Sequence, residues 1–178
     1  MLARGGPLAL DLRIHEAMYS LRNPLADRLM AGLASLGDPA VLVFPIALST
    51  LWLAWRRRWM AAAHWLAALA FGLALTAALE AAIDMPPPPT ALSGFGFPSV
   101  GVTMTTITFG FFAVLIAREL PGRQRVWPYL VSGAVVAVLG FARLYLGAHW
   151  LTDLVGGMLL GVAWLLALGI AYRRHVAR

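Results

Sequence analysis

Five apolar runs, each close to the length of a membrane-crossing helix, fill most of this 178-residue chain. They fall at about Pro39–Trp55, Met60–Ile83, Pro98–Ala117, Pro128–Gly147 and Trp150–Tyr172. A helix needs about 20 consecutive apolar residues to cross about 30 Å of hydrocarbon. Hydrophobic residues make up 61% of the sequence and charged residues 12%, where soluble domains carry about 25% charged. A chain of this length forms one domain or two small ones, so no larger core can absorb the surplus. Lipid is the solvent that suits it. The expected fold class is all-α: a polytopic transmembrane helix bundle of about five spans, with Pro45 a candidate kink in the first.

All fourteen basic residues are arginines, and nine of them mark one face. Arg56, Arg57 and Arg58 separate the first two runs. Arg118, Arg123 and Arg125 separate the third and fourth, and Arg173, Arg174 and Arg178 follow the last. Those positions alternate as one side of a membrane must, and the positive-inside rule makes that side cytoplasmic. Trp52, Trp55, Trp59 and Trp127 lie beside them as an aromatic belt. The formal charge of +6 is thereby explained by topology and anionic headgroups, and no basic-plus-aromatic stripe points to nucleic acid. The absence of cysteine excludes disulfides, thiolate chemistry and Cys-ligated metals. Met1–Pro7 lacks an apolar stretch behind its single arginine, so no cleavable signal peptide is expected. The protein is expected in the cell membrane as a multi-pass chain.

Residues 1–38 differ in kind from 39–178, the expected helix bundle. They read as two short helices, the second begun by Asn23 as N-cap with Pro24 in the first turn. Leu25, Leu29, Leu33 and Leu36 share one side, away from Asp27 and Arg28. A helix of about 13 residues is too short to span, so this amphipathic segment is expected in the outer interface; a tilted sixth span is the competing reading.

Ionisable groups in apolar runs are costly and mark function first. Glu80, Asp84, Arg143, His149 and Asp153 all fall at the outer ends of their runs, whereas His64 lies near the cytoplasmic end. His149 and Asp153, four apart, share a helical face. A carboxylate on one imidazole nitrogen fixes the tautomer and leaves the other nitrogen to attack. Arg143 ends the preceding run, and the Gly147 turn brings its planar fork towards His149, an arrangement suited to a phosphate oxyanion. The bland alternative is that Arg143 and His149 snorkel to headgroups. The stretch Gly94-Phe-Gly-Phe-Pro98-Ser99-Val100-Gly101 leads into a helix, and its first amides with the Ser99 hydroxyl offer an anion site, or simply a helix leaving the interface.

The last hundred residues resemble the phosphatidic acid phosphatase type 2 superfamily, which includes lipid-phosphate and undecaprenyl-pyrophosphate phosphatases. Its third motif, Ser-Arg, five residues, His, three residues, Asp, is similar to Ala142-Arg143, five residues, His149, three residues, Asp153. Its second motif, Pro-Ser-Gly-His, is similar to Pro98-Ser99-Val100-Gly101. The resemblance implies that His149 attacks phosphorus to give a phosphohistidine, that Asp153 orients it, and that Arg143 binds phosphate with Ser99 and the amides of Val100 and Gly101. It implies a lipid or isoprenoid phosphate as partner, no cofactor and no metal.

Four positions depart from the pattern. The second-motif histidine, the family's proton donor to the leaving alkoxide, is Gly101, and the third-motif serine is Ala142. The first motif, Lys, six residues, Arg-Pro, aligns with Glu80, six residues, Pro87-Pro88, so both cations are lost and one becomes a carboxylate. A lost general acid costs about 10²–10⁴-fold in rate. Two functions follow as expectations: a lipid-phosphate phosphatase with an altered site, or an inactive relative that binds or moves a lipid headgroup or scaffolds a partner. Glu80 and Asp84, one turn apart, are read as pairing with Arg143, or as forming a cation site with His149 and Asp153, or as altered catalytic groups; His15 is a further candidate for the missing acid. Replacing Gly101 by His together with the lost cations is the natural restoration test.

Overall fold

A computed structural model describes residues 3–4, 6–91 and 96–176, with side chains described for 6–91 and 96–170. Gly94 and Arg178 lie outside the described residues. The elements in chain order are α1 (Ala9–Ser20), α2 (Pro24–Leu36), α3 (Pro39–Trp55), α4 (Trp59–Ala82), α5 (Val100–Glu119), a 3-10 turn (Gly122–Val126), α6 (Trp127–Tyr145) and α7 (Leu151–Val176).

Local chemistry sets the helix limits. Asn23 is extended and its side chain accepts the Ala26 N–H at 3.0 Å, with Pro24 opening α2; Pro39 opens α3 in the same way. α4 stops at Ala82 because the chain ahead carries the run Pro86–Pro89, which disfavours helical backbone before it, and Ile83 is already extended. α3 runs unbroken through Pro45; the sharp bend, 44°, falls between α2 and α3.

Four helical stretches are individually long and apolar enough to span, Trp59–Ala82, Val100–Glu119, Gly122–Tyr145 and Leu151–Ile170. α3 has 17 residues and passes the same test only together with α2, so the bent pair is the fifth candidate span. The chain is an all-α, multi-pass membrane protein. The pairing of Ala3–Arg4 with Ile83–Asp84 is the sole strand contact among the described residues, and it is two residues long.

α5 is the axis of the bundle. Gly101 through Thr108 are all buried, and α3, α4, α6 and α7 pack round it. A helix enclosed on every side needs no polar stripe, yet α5 is rich in threonine. The Thr103, Thr105 and Thr106 hydroxyls donate to the carbonyls of Ser99, Gly101 and Val102 at 2.9, 2.7 and 2.8 Å, so no hydroxyl among these three is stranded in hydrocarbon. On the α4 side Trp65 is fully buried, stacks on Phe111 at 4.0 Å, and donates its indole N–H to Ser49 at 3.0 Å.

On the α7 side the approach is closer. A Cβ at Gly157 would lie 3.0 Å from the Ser99 carbonyl oxygen, and one at Gly161 2.7 Å from Thr106 Cβ. Two glycines four apart let helix backbones meet inside lipid, where packing rather than hydrophobicity drives association. That contact carries the N-terminus of α5 to the N-terminus of α7, and the Ser99 N–H donates to the Asp153 carbonyl at 3.2 Å. Gly161→Leu is expected to force α7 off α5 at a cost of about 1–3 kcal/mol. The check is thermal melting in detergent, where Gly161→Ala should melt between wild type and Gly161→Leu.

α1 and α2 lie over the ends of α6 and α7 that face away from the arginine-bearing turns. The Tyr145 hydroxyl accepts the Asn23 N–H at 3.3 Å and donates to the Leu21 carbonyl at 3.1 Å. Asp11, only 1% exposed, accepts from the Thr152 N–H and hydroxyl, each at 3.0 Å, and from the Leu8 N–H at 2.9 Å. A buried carboxylate is tolerable when so bonded, and beside the first turn of α7 it also meets the positive end of the helix dipole.

Candidate functional site

α6 and α7 are joined by a turn that only glycine suits: Gly147 has φ +64°, and a side chain there would overlap Thr90, whose hydroxyl donates to the Gly147 carbonyl at 2.8 Å. The Ala148 N–H then returns to the Arg143 carbonyl at 3.0 Å, and α7 begins after Trp150. Asp153 is the third residue of α7, and its Oδ2 accepts the Trp150 N–H at 2.8 Å, a carboxylate closing its own helix start. Trp150 is held in turn by the Pro86 carbonyl at 2.8 Å.

This geometry points the His149 ring. Its Nδ1 stands 3.7 Å from Asp153 Oδ2, within ion-pair range and beyond a hydrogen bond. Its Nε2 stands 3.3 Å from Ser99 Oγ. Ser99 is the N-cap of α5, its Oγ accepting the Val102 N–H at 3.5 Å. All three side chains are inside the protein, His149 at 6% exposure and both Ser99 and Asp153 at 0%. The first amides of α5, Val100 and Gly101, have no intrahelical acceptor by the geometry of a helix start and carry the positive end of its dipole.

Arg143 completes the group from α6. It is 8% exposed, and Nη2 donates to Asp38 Oδ1 at 2.7 Å and to the Ala34 carbonyl at 3.4 Å. Its guanidinium lies against Gly101, where any Cβ would overlap Nη1. The volume that a side chain at 101 would occupy is thus filled by arginine. Gly101→His, expected from the sequence to help restore a proton donor, is therefore expected to expel Arg143 from Asp38 and cost about 1–3 kcal/mol by overpacking, with no gain in turnover. Melting temperature and phosphate release on the purified variant check both parts.

Ser99, Gly101, Arg143, His149 and Asp153 converge at one end of the bundle, but Glu80 and Asp84 do not join them as expected. Among the described residues Arg143 pairs with Asp38, and no ion pair links it to Glu80 or Asp84. The Glu80 carboxyl lies against Gly96 instead. Asp84 lies beyond the end of α4, extended and exposed, so the two acids do not share a helical face. Nor do three His, Asp or Glu side chains among the described residues gather as metal ligands would. The His15 ring packs edge-on against Trp150, centroids 5.4 Å apart. His64, at the other end, bonds the Met60 carbonyl through Nδ1 at 2.8 Å.

Sequence reading missed Asp11, Asp38 and the Ala34 carbonyl. Asp11 had one signal, an acid amid leucines in the stretch Leu8–Ile14. Asp38 had none, since an acid before a helix-opening proline reads as an ordinary cap.

These features define a multi-pass helical membrane protein with a buried His–Ser–Arg–Asp group at one end of its bundle. The family model of the PAP2 superfamily matches residues 80–176, the part that supplies all four of those side chains. The chain belongs to the PAP2 superfamily. Phosphatidylglycerophosphatase B of Bacillus subtilis (strain 168) is 27% identical over 161 residues, which span 85% of this chain and 78% of that protein. The crystal structure of a transmembrane PAP2-type phosphatidylglycerolphosphate phosphatase from Bacillus subtilis superposes with a TM-score of 0.82 at 23% identity, covering 92% of this chain and 85% of that one. LpxE of Aquifex aeolicus superposes at 0.67 and 22% identity, over 90% of this chain and 95% of its own. At such identities the superpositions establish the fold.

Proposed function

We propose that the protein binds the phosphate or diphosphate headgroup of a membrane lipid and hydrolyses it through a phosphohistidine on His149. The observation that carries this is the direction of one ring: Nδ1 toward a buried carboxylate, Nε2 toward a serine at a helix N-terminus. Nε2 attacks phosphorus, the bond from phosphorus to the lipid-side oxygen breaks, and its electron pair leaves with that oxygen. Water then splits the phosphorus–nitrogen bond and releases phosphate. Asp153 holds the ring and stabilises the imidazolium, while Arg143, Ser99 and the amides of Val100 and Gly101 bind the phosphoryl oxygens.

A site-bearing end on the non-cytoplasmic side is the orientation that the positive-inside rule supports, given the arginine-bearing turns at the other end. α1 and α2 form the headgroup-level cover of that end in this reading, a segment of 1–38 laid over the bundle of 39–178.

A second reading, an inactive relative that binds a lipid headgroup, is favoured by the guanidinium that fills the place of the missing acid and by its pairing with Asp38. Purified protein in detergent, given a lipid diphosphate and the matching monophosphate, decides between them. Phosphate release supports the hydrolase. Binding of both lipids without release supports the second reading.

A further inference from the structure

We propose that Asp38 is the positioning residue for Arg143, holding one end of its guanidinium so that the other end stays over Gly101 for the oxyanion. This rests on the reading of Arg143, Ser99 and His149 as a phosphate site. An arginine fork has five N–H donors in one plane. Here Nη2 is committed to Asp38 and, more weakly, to Ala34, while Nη1 lies against Gly101 beside the opening amides of α5. Nη1, which carries two N–H donors of its own, therefore remains to donate to phosphate oxygens.

The corner between α2 and α3 is shaped for this task. Gly37 comes so near that a Cβ there would lie 3.1 Å from Thr105 Oγ1 and 3.5 Å from Arg143 Nη2. The Ala34 carbonyl belongs to the last turn of α2, the negative end of a helix dipole, and it faces the cation. Asp38 adds a full charge at the same nitrogen. Its side chain is 53% exposed and that of Arg143 10%, so the carboxylate faces outwards while the cation it holds is enclosed. A long arginine side chain has several rotatable bonds, and its fork is useful to a phosphate only while its direction is held. The segment before α3 would then take part in the chemistry through its last residue, although no family motif reaches it.

Orthovanadate, a five-coordinate mimic of a phosphoryl group in transfer, probes the site without turnover. Its affinity for the full chain in detergent is measured by calorimetry, with the melting temperature of each unliganded variant recorded. Asp38→Asn keeps an oxygen that accepts from Nη2 and should bind within about threefold of wild type. Asp38→Ala frees the guanidinium and should bind at least about tenfold more weakly. In an Arg143→Ala background the second change, Asp38→Ala, should have no further effect, since it acts only through the arginine. Asp38→Ala binding as tightly as wild type would reduce the contact to a structural one, and tighter binding would make it an inhibitory latch; either overturns the proposal. Folded wild-type protein that binds no orthovanadate would overturn the phosphate-site reading itself, and this proposal with it.

Discussion

His149→Ala should reduce phosphate release from a lipid diphosphate to background, a fall of at least about 10⁴-fold. In the proposed mechanism the nucleophile is the group that no neighbour replaces. Ser99 Oγ lies 3.3 Å from His149 Nε2, but it accepts the Val102 N–H, and the imidazole against it is the base that the substitution removes. The variant should fold, because the ring fills a pocket whose walls are tied independently: Trp150 to Pro86, Thr152 to Asp11, and Ser99 to the Asp153 backbone. A direct readout is a phosphoryl group on wild-type protein quenched during turnover, labile in acid and absent from His149→Ala. Turnover retained in His149→Ala would remove the phosphohistidine and the mechanism with it.

The second large effect is a preference between substrates that share a tail. A lipid monophosphate must expel an alkoxide, whose conjugate acid is about as weak an acid as water. A lipid diphosphate expels a phosphate monoester, whose second pKa is about 6, so it departs as an anion without receiving a proton. Gly101 offers no proton, and the arginine in its place is a permanent cation that neutralises an anion but does not protonate an alkoxide. General acid catalysis is worth about 10²–10⁴-fold, and only the monophosphate needs it. The ratio of kcat/KM, diphosphate over monophosphate, should therefore fall in that range for matched chains. Equal values would mean that a proton donor exists, and His15, packed on Trp150 beside the Gly147 turn, would be the first residue to replace.

The resemblance read from the third motif survived because its spacing is local. Arg143, His149 and Asp153 lie within one helix end, one turn and one helix start, where backbone geometry follows from nearby residues. The pairing of Glu80 with Arg143 failed for the opposite reason. It assumed that two acids on one helix end must find the nearest cation across the bundle, and the run Pro86–Pro89 takes the chain out of helix before Asp84. Arg143 instead met Asp38, 105 residues away, because the bend between α2 and α3 brings that corner over α5.

The sequence alone decided the solvent, the helix lengths, the alternation of faces and the local order of the third motif, since hydropathy and charge act residue by residue along the chain. Tertiary structure alone decided which groups share the site. Gly157 and Gly161 bring α7 close enough to set Ser99 on His149, Gly101 admits a guanidinium rather than bearing an imidazole, and Asp11 and Asp38 reach in from the N-terminal helices. Those are questions of which backbones touch and at what distance, and no periodicity in a single chain records them.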